Sequence, residues 1–246
     1  MSKHLSIVIT HHQTPELLSL CLNSIKIDCE IIVVDSETKK ELELDNVQVL
    51  AFKKNIGYTK SVNKGLEKAK GKYILILNAD IIILNNSIEK MMSYMDNNPD
   101  IGILGPQLID FTNKVQESCF ARPTIKSIIL RRTFLGKTRY GKEKLKEFLL
   151  KKEQVDWIQG SALMVRKKAM DKIGILDERF SMYHSDSDWC RRFWDNNYRV
   201  IYYPKAKMAH YYHRSSKKWG AVLDVLFNKY ARTHIFDALK YFWKWR

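Results

Sequence analysis

Residues 55–80 read NIGYTKSVNKGLEKAKGKYILILNAD, and this stretch decides which fold the sequence predicts. Its first half has the apolar spacing of an amphipathic helix over residues 59–70, and its second half predicts a strand over residues 72–77 that is continuously apolar from residue 73. A strand that is apolar on both faces is typical of a parallel sheet covered by helices. The stretch therefore predicts a helix packed on a central strand, with Asn78 and Asp80 emerging where that strand ends.

The same alternation of short apolar runs and helical segments extends along the chain. Further strands are predicted over residues 5–10, 30–35, 47–52, 101–104, 162–166 and 199–203, the last of them closed by Pro204. Helices are predicted over residues 87–97 and 186–196, and Thr14 followed by Pro15 is typical of the start of another. The pattern predicts an α/β fold, with a Rossmann-like, mostly parallel central sheet flanked by helices.

Composition limits the class of protein. The 246 residues are 45% hydrophobic, which suits one domain of two lobes and a short appendage. The formal net charge of +15 indicates a polyanionic partner, which leaves nucleic acid, an anionic membrane surface and phosphorylated substrates open.

Cysteine usage and the absence of long apolar runs indicate a cytoplasmic setting. Cys21, Cys29, Cys119 and Cys190 lack CxxC spacing, so we expect all four to be reduced. The residues after Met1 have no apolar stretch of a secretory signal. No uninterrupted apolar run reaches the roughly 18 residues that a membrane-spanning helix needs.

Polar residues just after the strands are the candidate site, because open parallel sheets bind ligands there. Thr10 and Asp35 end two strands. The carboxylate of Asp35 could accept hydrogen bonds from a ribose or a base, or Asp35 could be an ordinary cap or turn residue. Asn78, Ala79 and Asp80 follow a third, where the carboxylate of Asp80 suits Mg²⁺ or Mn²⁺ completed by phosphates, or else belongs to a plain turn. Neither a GxGxxG nor a GxxxxGK loop follows the first strand, which argues against two common nucleotide-binding modes.

Two further groups could carry chemistry. Asp186 and Asp188 lie at the start of a predicted helix, where a carboxylate acts either as a general base or as a partner of the helix dipole. His210 and His213 follow the strand at residues 199–203, and an imidazole there could join Asp80 in a metal site or be an ordinary surface or core residue.

Taken together, these pieces resemble glycosyltransferase family 2, the inverting enzymes of the GT-A fold, and especially its rhamnosyltransferase-like branch. The resemblance covers roughly residues 5–215. Its parts are LSIVIT at residues 5–10, EIIVVDS at 30–36, the stretch at 55–80, WIQGSALMVRKKAMDKIGILDERFSMYHSDSDWCRRF at 157–193 and IYYPKAKMAH at 201–210. Their order and spacing, rather than any single piece, make the resemblance specific.

The resemblance implies roles for residues of this chain. Residues 1–110 would form the nucleotide-sugar lobe and residues 111–214 the acceptor-binding and catalytic lobe of the same domain. Residues 215–246, beyond the resemblance, are predicted from their own spacing to be a helical basic and aromatic tail. The implied donor contacts are Thr10, Asp35, Asn55, Gly57, Lys60, Asn63, Asn78, Ala79 and Asp80. The implied metal ligands are Asp80 and His210, for Mn²⁺ or Mg²⁺. The implied acceptor contacts are Trp157, Gly160 and Asp188.

The implied reaction moves a sugar, with rhamnose as the branch's example, from a UDP or dTDP donor to a hydroxyl of a glycan or lipid-linked acceptor. Asp186 is the implied base, although Asn78 replaces the first acid of a DxD motif and Ser185 replaces an acid before the base, which leaves Asp188 as an alternative. A sugar-phosphate nucleotidyltransferase and a non-catalytic nucleic-acid-binding protein are the rival classes. The sequence lacks the glycine-rich loop that the first class needs near its first strand. The second class leaves the carboxylates after the strands unexplained, so we expect no nucleic acid partner.

Two basic segments fall outside this pattern. Residues 126–152 hold ten Lys or Arg against two Glu and are expected to form a solvated loop-and-helix region. The tail from residue 219 has helical spacing and ends in aromatic residues among cations. Contact with an anionic membrane carrying the acceptor and simple packing on the core are both open.

Overall fold

The computed structural model describes residues 4–37, 42–124, 154–211 and 228–246. The strands in these ranges are β1 (Leu5–His11), β2 (Glu30–Ser36), β3 (Gln48–Phe52), β4 (Tyr73–Asn78), β5 (Ile81–Leu84), β6 (Ile101–Ile109), β7 (Cys119–Phe120), β8 (Trp157–Ile158), β9 (Ala162–Arg166) and β10 (Arg199–His210). The helices are α1 (Pro15–Ser24), α2 (Tyr58–Leu66), α3 (Ser87–Asp96), α4 (Lys167–Ile173), α5 (Ser185–Asp195) and α6 (Lys229–Lys244).

Eight of these strands form one sheet, in the order β3, β2, β1, β4, β9, β6, β10, β5. Neighbours are parallel from β3 to β4, and β6 is parallel to β10. β9 runs antiparallel between β4 and β6, and β5 runs antiparallel beside β10. β7 and β8 form a separate antiparallel pair. The predicted α/β class, with a mostly parallel central sheet flanked by helices, is therefore confirmed.

Helices cover both faces of the sheet, as the continuous apolar strands require. α1 and α3 pack on one face, where Leu18 and Met91 are buried in the same cluster as Leu75 of β4. α2, α4 and α5 pack on the other face, where Val62 is buried in the same cluster as Ile74 of β4. Neighbouring residues of β4 therefore point to opposite faces, and both are shielded from water.

Strand β10 is longer than the sequence predicted, because it continues through Pro204 to His210. The predicted end at Pro204 is wrong. A register shift across residues 203–207 interrupts the ladder to β6 there, so the missing N–H of proline removes no strand hydrogen bond. The extension pairs with β5, which the sequence did not predict, and sets His210 opposite Ile81, the residue after Asp80.

The described part of the tail is a helix, as predicted. Its N-cap residue Asn228 accepts a hydrogen bond from the backbone N–H of Tyr230. Residues 212–227, which include His213, and the basic segment at residues 126–152 lie outside the described ranges. All four cysteines are buried free thiols, as expected. In the described ranges, no helix is both long and apolar enough to cross a membrane.

A tight contact joins α2 to the sheet. A Cβ atom at Gly65 would collide with the side chain of Val8 in β1, which is fully buried and β-branched and therefore has few alternative rotamers. We expect Gly65→Ala to lower the free energy of unfolding by about 1–3 kcal/mol, despite the higher helix propensity of alanine. Urea denaturation measures this. Lys64→Ala, at the neighbouring and more exposed position, is the control, and equal stability of the two variants would contradict the contact.

Candidate active site

Three parallel strands end side by side and bring predicted site residues together. Thr10 of β1 is opposite Asn78 of β4, and His11 of β1 is opposite Asp35 of β2. The hydroxyl of Thr10 donates to the side-chain oxygen of Asn78 across 3.1 Å. Thr10, Asp35 and Asn78 therefore share the sheet end at which open α/β folds bind their ligands.

His11 fixes the position of Asp35, a role that the sequence did not reveal. Its Nδ1 lies 2.8 Å from Asp35 Oδ1, and its Nε2 accepts a hydrogen bond from the backbone N–H of Thr14 at 3.0 Å. Because Nε2 is an acceptor, the ring proton is on Nδ1 and is donated to the carboxylate. Both side chains are buried. The histidine was visible after the first strand, but only the pairing of β1 with β2 reveals its partner.

Strands β5 and β10 bring Asp80 and His210 together from distant parts of the chain. His210 Nε2 lies 3.5 Å from Asp80 Oδ2. The other ring nitrogen, Nδ1, lies 2.8 Å from Gln116 Oε1, and the Gln116 amide donates to the His210 carbonyl at 3.0 Å. Because an amide oxygen only accepts, Nδ1 carries the proton and the lone pair of Nε2 is directed toward Asp80. No sequence motif marked Gln116, whose role depends on this contact alone.

The side chains of Asp80 and His210 fit a divalent cation. Asp80 Oδ1 is buried and has no hydrogen-bond partner among the described residues. Burial raises the pKa of Asp80 to about 6 and lowers the pKa of His210 to about 4. A carboxylate oxygen and a neutral imidazole are ligands that Mn²⁺ accepts. Within the described ranges no group of three or more His, Cys, Asp or Glu side chains could hold a metal, so further ligands, such as phosphate oxygens, would join this pair.

Asp186 lies in the first turn of α5 and is held by two main-chain groups. The N–H of Gly160 donates to its Oδ2 at 3.1 Å, and the N–H of Ser187 donates to its Oδ1 at 2.8 Å. Burial outweighs these hydrogen bonds and raises the pKa of Asp186 to about 6. A carboxylate with this pKa is ionised at neutral pH but accepts a proton more readily than an ordinary aspartate, which suits a general base.

Tyr58 of α2 supports the Gly160 backbone from the other side. Its hydroxyl donates to the Gly160 carbonyl at 2.6 Å, and a Cβ atom at position 160 would collide with that hydroxyl, so a larger residue there would displace the phenol. Burial, and then the charge of Asp186, raise the pKa of Tyr58, which keeps the phenol protonated as a donor. Tyr58 was not singled out from the sequence, although it lies inside the stretch that predicted the fold.

Main-chain contacts put Asp186 at the same end of the sheet as Asp80. The carbonyl of Ser161, which follows Gly160, accepts a hydrogen bond from the N–H of Asn78 at 2.9 Å. A continuous set of contacts therefore runs from Asp186 through Gly160 and Ser161 to the strand end that carries Asp80. Asp186, the pair of Asp80 and His210, and the ends of the parallel strands thus share one edge of the sheet.

The residues of the segment predicted to lie against the donor fall into two groups in the structure. Asn55 and Lys60 are exposed, and Gly57 begins α2 with a φ of +80°, so these three remain candidates. Asn63 is fully buried, and both ends of its amide bond the backbone of Leu176, at 2.9 and 3.0 Å. The prediction of Asn63 as a donor contact is therefore corrected, because its side chain fastens α2 to the loop after α4.

Asp188 also has a structural role, in buried ion pairs. Its side chain is fully buried, with Oδ2 3.0 Å from Arg192 Nε and Oδ1 2.6 Å from Lys244 Nζ. Trp245 Nε1 donates to the same Oδ1 at 2.9 Å. The prediction of Asp188 as an acceptor contact, and as the alternative base, is corrected, because an enclosed carboxylate paired with two cations cannot reach an acceptor.

Trp157, the remaining predicted acceptor contact besides Gly160, lies in β8. Its ring stacks on Phe120 of β7 with centroids 4.4 Å apart, and its Nε1–H donates to the Ala121 carbonyl at 2.9 Å. The side chain is only partly buried, so part of the indole is open to a ligand. Its role stays a prediction.

Helix α6 contributes a residue that sequence reasoning did not select. Asp237 is fully buried, and its Oδ2 accepts hydrogen bonds from the backbone N–H groups of Ser181, Met182 and Tyr183, each at 3.1 Å. These three residues form the loop that leads into α5 and Asp186. The carboxylate of Asp237 therefore ties the tail helix to the loop before the candidate base.

Comparisons with known proteins identify a family and individual relatives that this chain resembles. The model of glycosyl transferase family 2 matches residues 6–174. The chain is 26% identical over 220 residues to N-acetylglucosaminyl-diphospho-decaprenol L-rhamnosyltransferase of Mycobacterium tuberculosis (strain CDC 1551 / Oshkosh), covering 82% of this chain and 70% of the relative. It is 27% identical over 218 residues to dTDP-rhamnosyl transferase RfbF of Shigella flexneri, covering 83% of this chain and 68% of the relative.

Solved structures with the same fold include GalNAc-T7 with UDP, GalNAc and Mn²⁺, at a TM-score of 0.63, 15% identity and 93% coverage of this chain. Mannosyltransferase PcManGT of Pyrobaculum calidifontis, in complex with GDP-Man and Mn²⁺, matches 90% of this chain at a TM-score of 0.59 and 14% identity. This chain spans 49% and 59% of those two structures. The likeness confirms the predicted GT-A fold and, at these identities, nothing more.

We expect Asp237→Ala to loosen the loop at residues 181–183, because three backbone N–H groups lose their buried acceptor. The free energy of unfolding should fall by about 2–4 kcal/mol. Hydrogen exchange of the three amides should become faster, as followed by mass spectrometry. Asp195→Ala removes an exposed aspartate of α5 and is the control. Unchanged exchange at residues 181–183 in Asp237→Ala would contradict the assigned contact.

Proposed function

Because the chain belongs to glycosyltransferase family 2, we propose that it moves a sugar, with rhamnose as the first candidate, from a nucleotide-diphosphate donor to a hydroxyl of a glycan or lipid-linked acceptor. The observation that carries this proposal is the position of Asp186, held by the Gly160 and Ser187 N–H groups at the sheet end that also carries Asp80 and His210. Displacement of a diphosphate by a hydroxyl needs both a base and a means of binding phosphate. The product would serve surface polysaccharide synthesis.

The donor's nucleoside would lie against Thr10 and Asp35, at the ends of β1 and β2. Asp35 is held by His11, so its carboxylate is oriented before the donor arrives. Asn55, Gly57 and Lys60 border this region on the chain segment that begins α2. The Shigella flexneri relative, named a dTDP-rhamnosyl transferase, supports dTDP and rhamnose, whereas UDP in the GalNAc-T7 structure keeps UDP as the alternative.

Asp80 and His210 would hold Mn²⁺ or Mg²⁺, and Gln116 would keep the His210 ring in the tautomer that ligation requires. When bound, the cation offsets the charge that develops on the departing diphosphate. Asn78 takes the place of the first acid of a DxD motif, so Asp80 is the carboxylate of this segment that contributes. Its buried Oδ1, which has no hydrogen-bond partner in the part of the chain that the structure describes, supports this role.

Asp186 would take the proton of the acceptor hydroxyl while that oxygen attacks the anomeric carbon from the face opposite the diphosphate. A single displacement of this kind inverts the anomeric configuration. The Gly160 and Ser187 N–H groups orient the carboxylate, and Tyr58 keeps Gly160 in place. The partly exposed ring of Trp157 offers an aromatic surface to an acceptor sugar.

We propose that the reaction takes place in the cytoplasm, at the inner face of the cell membrane. The Mycobacterium tuberculosis relative is named a rhamnosyltransferase of N-acetylglucosaminyl-diphospho-decaprenol, which supports a lipid-linked acceptor. The net charge of +15 suits contact with an anionic surface.

Asp186→Asn should abolish transfer and leave donor binding intact, because the amide keeps the shape of the side chain but cannot accept a proton. We expect kcat to fall by about 10²-fold to 10⁴-fold. Product formation with dTDP-rhamnose or a UDP-sugar measures transfer, and calorimetric titration measures donor binding. Asp195→Asn, on the exposed side of the same helix, is the control. Undiminished transfer by Asp186→Asn would remove the residue from this role.

The same carboxylate sets the expected pH dependence. A base must be deprotonated to act, and burial raises the pKa of Asp186 from 3.8 to about 6. The rate at saturating substrate should therefore be level above this pKa and fall tenfold per unit as the pH drops below about 6. A profile that stayed level down to the ordinary aspartate pKa would contradict the assignment of Asp186 as the base.

Asp80→Ala should remove most of the metal-dependent affinity for UDP or dTDP, since it deletes a proposed ligand. Gln116→Ala should weaken Mn²⁺ binding by about 10-fold to 100-fold, because His210 loses the partner that fixes its tautomer. Calorimetric titration of Mn²⁺ with the nucleotide measures both effects. Gln48→Ala, an exposed glutamine of β3, is the control. Unchanged metal-dependent affinity in Asp80→Ala would overturn the metal assignment.

A further inference from the structure

Helix α6 has an inner face that packs against the rest of the chain and an outer face that is exposed. The inner face is buried against the rest of the chain through Ala231, Asp237, Ala238 and Tyr241. The outer face exposes three large apolar side chains, Phe236 at 61%, Leu239 at 61% and Trp243 at 62%. Side chains exposed to this degree contribute little to folding, so their apolar character needs another explanation.

Basic residues share this outer face. Positions three, four and seven apart lie on one side of a helix, which groups Phe236, Leu239 and Trp243 into a single stripe. The exposed residues of α6 are Lys229, Tyr230, Arg232, Phe236, Leu239, Lys240 and Trp243. Each of them is either a cation or a large apolar or aromatic residue, and Asp237, the single acid of the helix, is buried.

This combination is typical of a helix that lies in a membrane interface. Tryptophan, phenylalanine and leucine enter the boundary between headgroups and acyl chains, while lysine and arginine remain at the headgroups and attract anionic lipids. An ordinary water-exposed helix face would carry acids and small polar residues among its cations. In the described ranges no helix could span a bilayer, so α6 would lie on the surface rather than cross it.

The loop that leads to Asp186 also exposes an apolar side chain and lies beside α6. Met182 of that loop is 38% exposed, and its backbone N–H is bonded to Asp237 of α6. A cavity of about 270 Å³ lies beside the loop, lined by Arg179, Phe180, Lys240 and Trp243. The outer face of α6 therefore adjoins the segment before the proposed base.

We propose that the outer face of α6 docks this protein onto a bilayer that contains anionic phospholipid, with Phe236, Leu239 and Trp243 inserted at the interface. Lys229, Arg232 and Lys240 contact the lipid headgroups. The inference rests on the proposed function in one respect: docking would bring the loop before Asp186 toward a lipid-linked acceptor. Binding to the bilayer itself requires neither donor nor acceptor.

Vesicle sedimentation tests this. The full-length protein should sediment with vesicles of phosphatidylcholine mixed with phosphatidylglycerol and remain in solution with phosphatidylcholine alone. Added salt should weaken the binding, because it screens the cations. The triple variant Phe236→Ser, Leu239→Ser, Trp243→Ser should bind at least about tenfold more weakly. All three side chains are mostly exposed, so the variant should fold, which circular dichroism and thermal unfolding verify.

Leu20→Ser, which removes a half-exposed leucine from α1, is the matched control and should bind like the unaltered protein. Equal binding by the triple variant, equal binding to phosphatidylcholine alone, or no binding by the unaltered protein would each overturn the proposal. Light scattering adds one more outcome. A dimer that the triple variant converts to monomer would assign the face to a second copy of the chain and overturn membrane docking.

Failure of this proposal is separable from failure of the proposed function. Transfer to a short, water-soluble acceptor should be the same in the triple variant and the unaltered protein, because none of the three residues belongs to the site. Transfer to an acceptor embedded in anionic vesicles should fall in parallel with vesicle binding. If the triple variant and the unaltered protein transferred equally well from vesicles, docking through α6 would be refuted while sugar transfer stood.

Discussion

The antiparallel placement of β9 between β4 and β6 is the constraint on which the site depends. Because β9 runs opposite to β4, its first residues lie beside the last residues of β4, and the Ser161 carbonyl accepts the Asn78 N–H there. Gly160 comes directly before this contact and donates to Asp186. A parallel β9 would have its start at the other end of the sheet, and the carboxylate on α5 would lose its link to Asp80.

Burial gives the side chains at this edge their chemical character. The pKa of Asp80 and of Asp186 is raised to about 6, and that of His210 is lowered to about 4, all chiefly because burial disfavours the charged form. Hydrogen bonds from main-chain N–H groups partly offset the cost of burying the Asp186 carboxylate, whereas Asp80 keeps one oxygen without a partner among the described residues. The two carboxylates thus have similar acidity but different surroundings, which suits a base in one case and a cation ligand in the other.

The sequence predicted the features that depend on residues close together in the chain. Continuous apolar runs gave β1, β2 and β4 to within a residue or two, and the polar residues after them do share one edge of the sheet. What it could not predict depends on contacts between distant segments. Asn63 was predicted to contact the donor, and only the structure shows that both ends of its amide are bonded to Leu176. Gln116 likewise acquires a role only through its contact with His210.

The contact between Asp237 and the loop at residues 181–183 also bears on truncation of the chain. Every strand of the eight-stranded sheet precedes α6 in the chain, so a proteolytic product that ends before α6 retains all of these strands. Such a product lacks Asp237, and three consecutive backbone amides ahead of Asp186 then have to be hydrated instead of bonded to a carboxylate. Loss of the tail would thus spare the strands of the sheet while the loop before Asp186 lacked a fixed conformation.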